Sequence, residues 1–289
     1  MTYYINYADE NFQSKQGFAL IMARFLGRFD KVTGYSKKDI DDEFFDKYKN
    51  ILNQPQGGGL WLWKPYFILK KLKEINNGDY LFYSDTGAFF LKNISLLIGE
   101  LENSNQQIMG FELPLIESQW TKKELLKNMN CENSIYIDTN LIMAGFHLIK
   151  KSDMSINFYE EFLDYACNQE NINNKFDPLI QNDDFISHRH DQSIFSLLYK
   201  KYKLKPFKDA TQFGEYPIGY SGGVFMEYDY GITYVLSNNR KFRTFKYDEH
   251  YSRVIFLNRV NHPVISYIRF FIKDMLYKSK VYKKSVYFD

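Results

Sequence analysis

Along the first two hundred residues the apolar positions alternate between two periods. Residues 3–7 form a short apolar run suited to a strand, and Phe18, Ile21, Met22 and Phe25 then recur at helical spacing within 12–26. Residues 31–34 predict a second short strand. An acid-rich start at Asp39 opens a helix through Phe44, Phe45 and Tyr48 to Leu52, its carboxylates placed to suit the helix dipole. The glycines at 57–59 interrupt this pattern, either to turn the chain sharply or to let the backbone approach a ligand. Pro65 suits a first helical position, Ile68, Leu69, Leu72 and Ile75 share one face, and Asn77 with Gly78 ends the helix. Residues 80–84 read as a buried strand with Asp85 at its carboxyl end, where Thr86 and Gly87 let the backbone pass close to whatever Asp85 holds.

The alternation continues with helices near 93–103, 121–129, 153–168 and 191–202 and strands near 107–111 and 141–149. It predicts an α/β, Rossmann-like fold with a mostly parallel sheet and helices on both faces. Such sheets bind ligands outside the carboxyl ends of their strands, which is where Asp85 falls. Residues 171–184 are polar, contain a proline and read as a mobile loop; 206–240, rich in Gly and Tyr, read as irregular or β. From His262 the character changes. Val264, Ile265, Ile268, Phe271, Ile272, Met275 and Leu276 make one apolar stripe, and Arg269, Lys273, Lys278, Lys280, Lys283 and Lys284 oppose only Asp274 and Asp289. The expected division is 1–205, an irregular or β extension over 206–261, and a basic amphipathic tail, 262–289. That tail either rests on an anionic membrane surface or packs its stripe on the rest of the chain.

Four stretches carry a resemblance: GGGLWLWKP at 57–65, YSDTG at 83–87, LIMAGFHLIKKS at 141–152 and HRHDQSIFSLLYKKY at 188–202. Over residues 1–205 the chain resembles the bacterial GT-A-type glycosyltransferases of capsule and lipopolysaccharide assembly. The resemblance implies a GT-A-like fold and sugar transfer from a nucleotide-diphosphate donor, taken as UDP-linked, to a glycan or lipid-linked glycan acceptor. It also implies a divalent cation, Mn or Mg, although the usual Asp-x-Asp is here Asp85, Thr86, Gly87, with no second acid.

Such a transfer needs charge neutralisation on the departing phosphates, a pocket for the donor ring and a group that positions or deprotonates the acceptor hydroxyl. Asp85, after Ser84, can hold a cation against phosphate oxygens, or cap a following helix. Lys64, at a helix start, can add its ammonium to the helix dipole in holding an anion, or stand solvated in a loop. Trp61 and Trp63 face opposite ways if extended, one toward the core and one toward the pocket. In the resembling enzymes a small pair like Ala144 and Gly145 leaves room for the donor sugar; tight packing is the plain alternative. Asp138 and Asn140, just before that strand, are further polar candidates. His188, Arg189, His190, Asp191 and Gln192 crowd one helix start; Asp191 is either a cap or, with Gln192, a sugar-contacting pair, and His190 is a second metal ligand to set beside Asp85. Tyr7, Ala8 and Tyr35 end early strands and either bracket the nucleotide base or fill the core.

Composition narrows the classes. In 289 residues, 45% hydrophobic and 25% charged, the chain is long enough for a substantial core. Thirty-seven basic against 35 acidic residues leave a net charge of +2, too little for a global field that attracts nucleic acid. Its 26 Phe and 24 Tyr suit sugar stacking, and an AT-rich coding sequence also produces them. Two cysteines make no framework and point to a reducing cytosol, and neither a signal peptide nor a spanning segment is expected. The expectation is a cytoplasmic protein, peripheral on the inner face of the plasma membrane. No Walker-type or Gly-x-Gly-x-x-Gly phosphate loop occurs. The reading from another class is a non-catalytic carbohydrate-binding or scaffold protein that kept the fold.

Overall fold

The structure, a computed structural model, describes residues 1–217, 231–235, 239–249, 251–258 and 262–278. A seven-stranded sheet runs in the order β2 (Lys31–Tyr35), β1 (Thr2–Tyr7), β3 (Tyr80–Ser84), β6 (Asn140–Lys150), β5 (Ile108–Ile116), β8 (Lys241–Arg243), β7 (Thr233–Val235). β4 (Ala88–Phe90) pairs separately with β9 (Ile255–Leu257). β1, β2 and β3 are parallel neighbours, whereas β6 lies antiparallel between β3 and β5. Five of the seven strands therefore point one way, as the alternating pattern requires, although most neighbouring pairs are antiparallel.

Apolar side chains cover both faces of the sheet. On one, the helices Trp63–Glu74, Asp153–Cys167 and Asp191–Lys201 bury Phe67, Ile68, Leu72, Phe158, Phe162 and Phe195 together with Leu81, Ile142 and Ile149. On the other, Phe29, Phe90, Leu97, Leu101 and Trp120 pack on Tyr4, Phe82, Phe146 and Leu148. Two covered faces are why β3 and β6 read as nearly continuous apolar runs.

Some local expectations change. The helix expected over 39–52 is split into Asp42–Lys47 and Lys49–Leu52, because Tyr48 leaves helical geometry (φ −117°, ψ 23°) and tilts against Phe44. The first helix, Gln13–Met22, packs Phe18 and Met22 beside the buried Ala19, whereas Ile21 on it and Phe25 just beyond it are exposed, so its apolar stripe is only half covered. The polar stretch after the helix Gln169–Ile172 is fastened: the buried Lys122 ammonium donates to Asn173 O and Oδ1 and to Lys175 O at 2.8, 2.9 and 3.0 Å. Gly87 answers to chain packing. Its backbone pairs with Asn258, and a Cβ there would stand 2.8 Å from the Asn258 carbonyl oxygen.

The helix Pro263–Lys278 docks through Phe270 and Asp274, which accepts from Tyr216 and pairs with Arg253, while Val264, Ile265, Ile268, Phe271, Ile272, Met275 and Leu276 all face solvent. The apolar stripe is thus the face turned away from the protein. Lys280, Lys283, Lys284 and Asp289 lie outside the described residues. Among the described residues no helix is long and apolar enough to cross a membrane.

Candidate active site at the carboxyl edge of β3

Tyr7, Tyr35 and Asp85 end or follow three adjacent parallel strands, so the sheet brings them to one edge. The chain reaches this edge from residues 57–61 through an unusual turn. Gly57, Gly58, Gly59, Leu60 and Trp61 have φ of 60°, 59°, 106°, 51° and 61°, one turn of left-handed helix. Glycine makes three of these positions possible; Leu60 and Trp61 each cost on the order of 1–2 kcal/mol there. A Cβ on Gly59 would also come within 2.8 Å of Leu52 Cα. The turn is closed by the Trp63 indole N–H, which donates to Gly57 O at 2.9 Å while the ring stacks on Tyr7 at 4.0 Å. This closure puts Lys64 one residue into the next helix, pointing inward.

Lys64 is 3% exposed, and its ammonium lies 2.6 Å from Asp191 Oδ2 and 3.4 Å from Asp85 Oδ1. It stands 5.9 and 5.5 Å from the ring centroids of Trp63 and Tyr83. Burial works against its charge, but the two carboxylates outweigh it and raise its pKa. The Tyr83 hydroxyl donates to Asp85 Oδ1. Asp191 is buried, and burial pushes its carboxyl up to about 6 against the pull of Lys64. The Lys64 ammonium at 2.6 Å is the one side-chain partner of Asp191 Oδ2 among the described residues. The Asp85 side chain remains 43% exposed. Gly145 opens the space beside it: its carbonyl accepts from Asp85 N–H at 2.7 Å, and a Cβ there would lie 3.5 Å from Asp85 Oδ2.

Asp191 is the first residue inside its helix; the cap position belongs to His190, at φ 53° and ψ −124°. His190 is fixed there by Ile172 O at 2.6 Å, by Gln56 at 3.1 Å and by the Trp61 ring. The left-handed turn thus meets the start of the Asp191 helix, and the two together aim Lys64 and Asp191 at each other. Sequence reading proposed Lys64, Asp85 and Asp191 separately; the structure joins them and adds Tyr83, which reads in the sequence only as an apolar strand residue.

Other candidates fall elsewhere. Ser84 is buried, with its hydroxyl engaged by Tyr4 at 2.7 Å. Tyr7 and Tyr35 are buried in a ring stack with Trp63 and Phe67, and Ala8 is buried with its N–H on Tyr35 O: these are core positions. Trp63 is likewise buried, while Trp61 is partly exposed and lies against His190. Ala144 packs in the core beside Gly145. Gln192 is half-buried, its backbone N–H on Arg189 O.

The implied cation does not fit these residues as a resident ion. Tyr83 and Lys64 occupy Asp85 Oδ1, and the place of a second acid is Gly87, closed to any side chain by the Asn258 carbonyl. Both His190 nitrogens are engaged, so the expected Asp85–His190 pair is not formed. Among the described residues no three His, Cys, Asp or Glu side chains gather in a metal-binding group. One carboxylate oxygen is too few for a protein-held divalent ion.

No protein-family model and no curated protein matches the sequence. Among solved structures, mouse xyloside xylosyltransferase 1 is similar over 90% of this chain and 99% of that one, with a TM-score of 0.50 and 12% identity. The galactosyltransferase LgtC, solved with donor and acceptor sugar analogues, is similar over 89% and 87%, with a TM-score of 0.48 and 12% identity. At such identity the likeness to the xylosyltransferase is one of fold, and it is the GT-A glycosyltransferase fold that the sequence implied.

Proposed function

We propose that the protein is a glycosyltransferase moving a sugar from a nucleotide-diphosphate donor, UDP-linked, to a hydroxyl of a bacterial surface glycan of the capsule or lipopolysaccharide type. The observation that carries this reading is the Lys64–Asp85–Asp191 cluster, placed at the ligand-binding edge of an α/β sheet. Asp191 Oδ2, buried and met only by the Lys64 ammonium, accepts from a hydroxyl of the donor sugar. Lys64 locks that carboxylate in place and gives its remaining N–H to the sugar or the nearer phosphate. Asp85, the exposed member, faces the reacting end. Gln192, next to Asp191, meets the acceptor side. Hydrolysis of a panel of nucleotide sugars, slow without acceptor, tests the reading; no turnover with any donor overturns it.

One observation favours a second reading, a non-catalytic carbohydrate-binding or scaffold protein: the closure of position 87 against the acid a metal-dependent transferase carries there. Sugar-nucleotide binding without hydrolysis, with and without Mn2+, selects it.

The finer location rests on the helix Pro263–Lys278. Its exposed apolar stripe, with Arg269 and Lys273 on the same helix, suits reversible docking on the anionic inner face of the plasma membrane. Co-sedimentation with anionic vesicles should fall at least about tenfold in Ile268→Glu/Phe271→Glu; equal sedimentation removes the membrane from the proposal.

A further inference from the structure

We infer that a second cavity, beside the N-terminal end of β6, takes the acceptor glycan by an anionic group, a carboxylate or phosphate carried on one of its sugars. This inference rests on the glycosyltransferase reading above. The cavity encloses about 450 Å³ between β5, the start of β6, residues 208–217 and residues 243–247. It opens at the same edge of the sheet as the candidate active site. Asn140 lines it, and Gly145, five residues further along the same strand, stands against Asp85. Five strand residues span about 16 Å, the reach of a short oligosaccharide.

The lining is that of a sugar site. Phe245 and Tyr247 line it with aromatic rings, on which the C–H faces of a sugar can stack. Asn140 is buried: its Nδ2 donates to Arg243 O at 2.8 Å, while Oδ1 has no hydrogen-bond partner. A sugar hydroxyl would supply the missing donor.

The charges of the cavity are unequal in how far they are committed. Of the three acids, Glu112 and Glu215 are committed. Glu112 takes the Tyr247 hydroxyl, and burial pushes its carboxyl up to about 8, so it is largely neutral at pH 7. Asp209 accepts from Thr211 N–H at 2.8 Å, and Glu215 pairs with Arg253 at 3.3 Å. The cations are not engaged in the same way. Arg243 gives its hydrogen bonds to neutral oxygens, Thr233 Oγ1 and Asp138 O, and among the described residues no ion pair joins Lys208 or Lys246. Three cations face Glu215, already paired, Glu112, largely neutral, and Asp209, an excess of positive charge that suits an anion. Two sources have that chemistry: a uronic acid within the glycan, and the phosphate of a lipid-linked glycan. The second has a structural neighbour, because Tyr216 of the cavity wall donates to Asp274 of the helix with the exposed apolar stripe.

Ligand-observed NMR titration of the full chain, with UDP present to occupy the donor site, compares methyl glucoside, methyl glucuronide and glucose 6-phosphate. At least one anionic sugar should bind about tenfold more tightly than the neutral one, the carboxylate and phosphate arms telling the two sources apart. Lys208→Gln/Lys246→Gln should abolish that preference and leave the affinity for UDP unchanged. The inference is overturned if neither anionic sugar is preferred, or if the preference survives the double substitution. Nucleotide-sugar hydrolysis in the same sample separates the two claims: hydrolysis without preference removes only the subsite, and preference without hydrolysis removes the transferase and leaves the anionic subsite standing.

Discussion

The helix Asp191–Lys201 carries a buried lysine–carboxylate contact at each end, and the two are finished differently. Toward its C-terminal end, Glu117 is wholly buried and both its oxygens are engaged: Thr121 donates to Oε1, and Ser196 and Lys200 donate to Oε2 at 2.5 and 2.6 Å. At its N-terminal end, Asp191 Oδ2 meets the Lys64 ammonium alone, at 2.6 Å, and the second acid, Asp85, is partly in solvent. A buried charge is tolerable only when its partners are complete, so the contact with the fuller set of donors secures the fold, and on the proposed reading the other leaves room for a ligand. Burial and charge are alike at the two ends; satisfaction is what separates structure from site.

The largest effect expected from this contrast is on stability. Glu117→Ala strands Lys200 and two hydroxyls and should cost about 3–5 kcal/mol in urea unfolding; a loss under about 1 kcal/mol would mean the pair adds nothing to the fold. Asp191→Asn should lower kcat/KM about 100-fold or more while changing stability by no more than about 1 kcal/mol, since Lys64 keeps Asp85. If the loss appears in the unfolding curve instead, the two ends of the helix are equivalent and the contrast fails.

Protonation sharpens the comparison. Burial pushes the Asp191 carboxyl up to about 6, and on the proposed reading transfer requires its ionised form, so kcat/KM should fall as pH drops through about 6. For stability the sign is opposite. The folded pKa of Asp191 is raised above its ordinary value, so its contribution is fully present below about pH 4 and is lost as pH rises through 6. Glu112, pushed up to about 8, acts in the same sense between its ordinary carboxylate range and pH 8, and Glu112→Gln should flatten the decline in Tm over that interval. A profile unchanged by that substitution would show that Glu112 is not the group titrating.

A smaller effect is expected at Gly87. Gly87→Ala drives a methyl against the Asn258 carbonyl and should cost about 1–3 kcal/mol by loosening β9 from β4. Smallest of all should be the response to metal: Mn2+ or Mg2+ alone should leave Tm unchanged, and a stabilisation saturating at micromolar ion would reveal a resident site after all.

By itself the sequence determined the alternation of strands and helices, the strand-end position of Asp85, the helix starts at Lys64 and Asp191, and hence the sheet edge where a ligand belongs. Period, glycine and proline placement and strand ends are local properties, so they can be read locally. Only the tertiary structure decided which of the proposed residues meet. It sent Ser84, Tyr7 and Tyr35 into the core, closed position 87 with Asn258, turned the tail's apolar stripe outward, and brought Lys64 to Asp85 and Asp191 through a left-handed turn braced on His190. The finished Glu117 pair and the Glu112 cavity left no mark in the chain, because both join residues dozens of positions apart whose spacing carries no period. Whether a polar side chain is satisfied depends on partners distant in sequence, and only the folded chain supplies them.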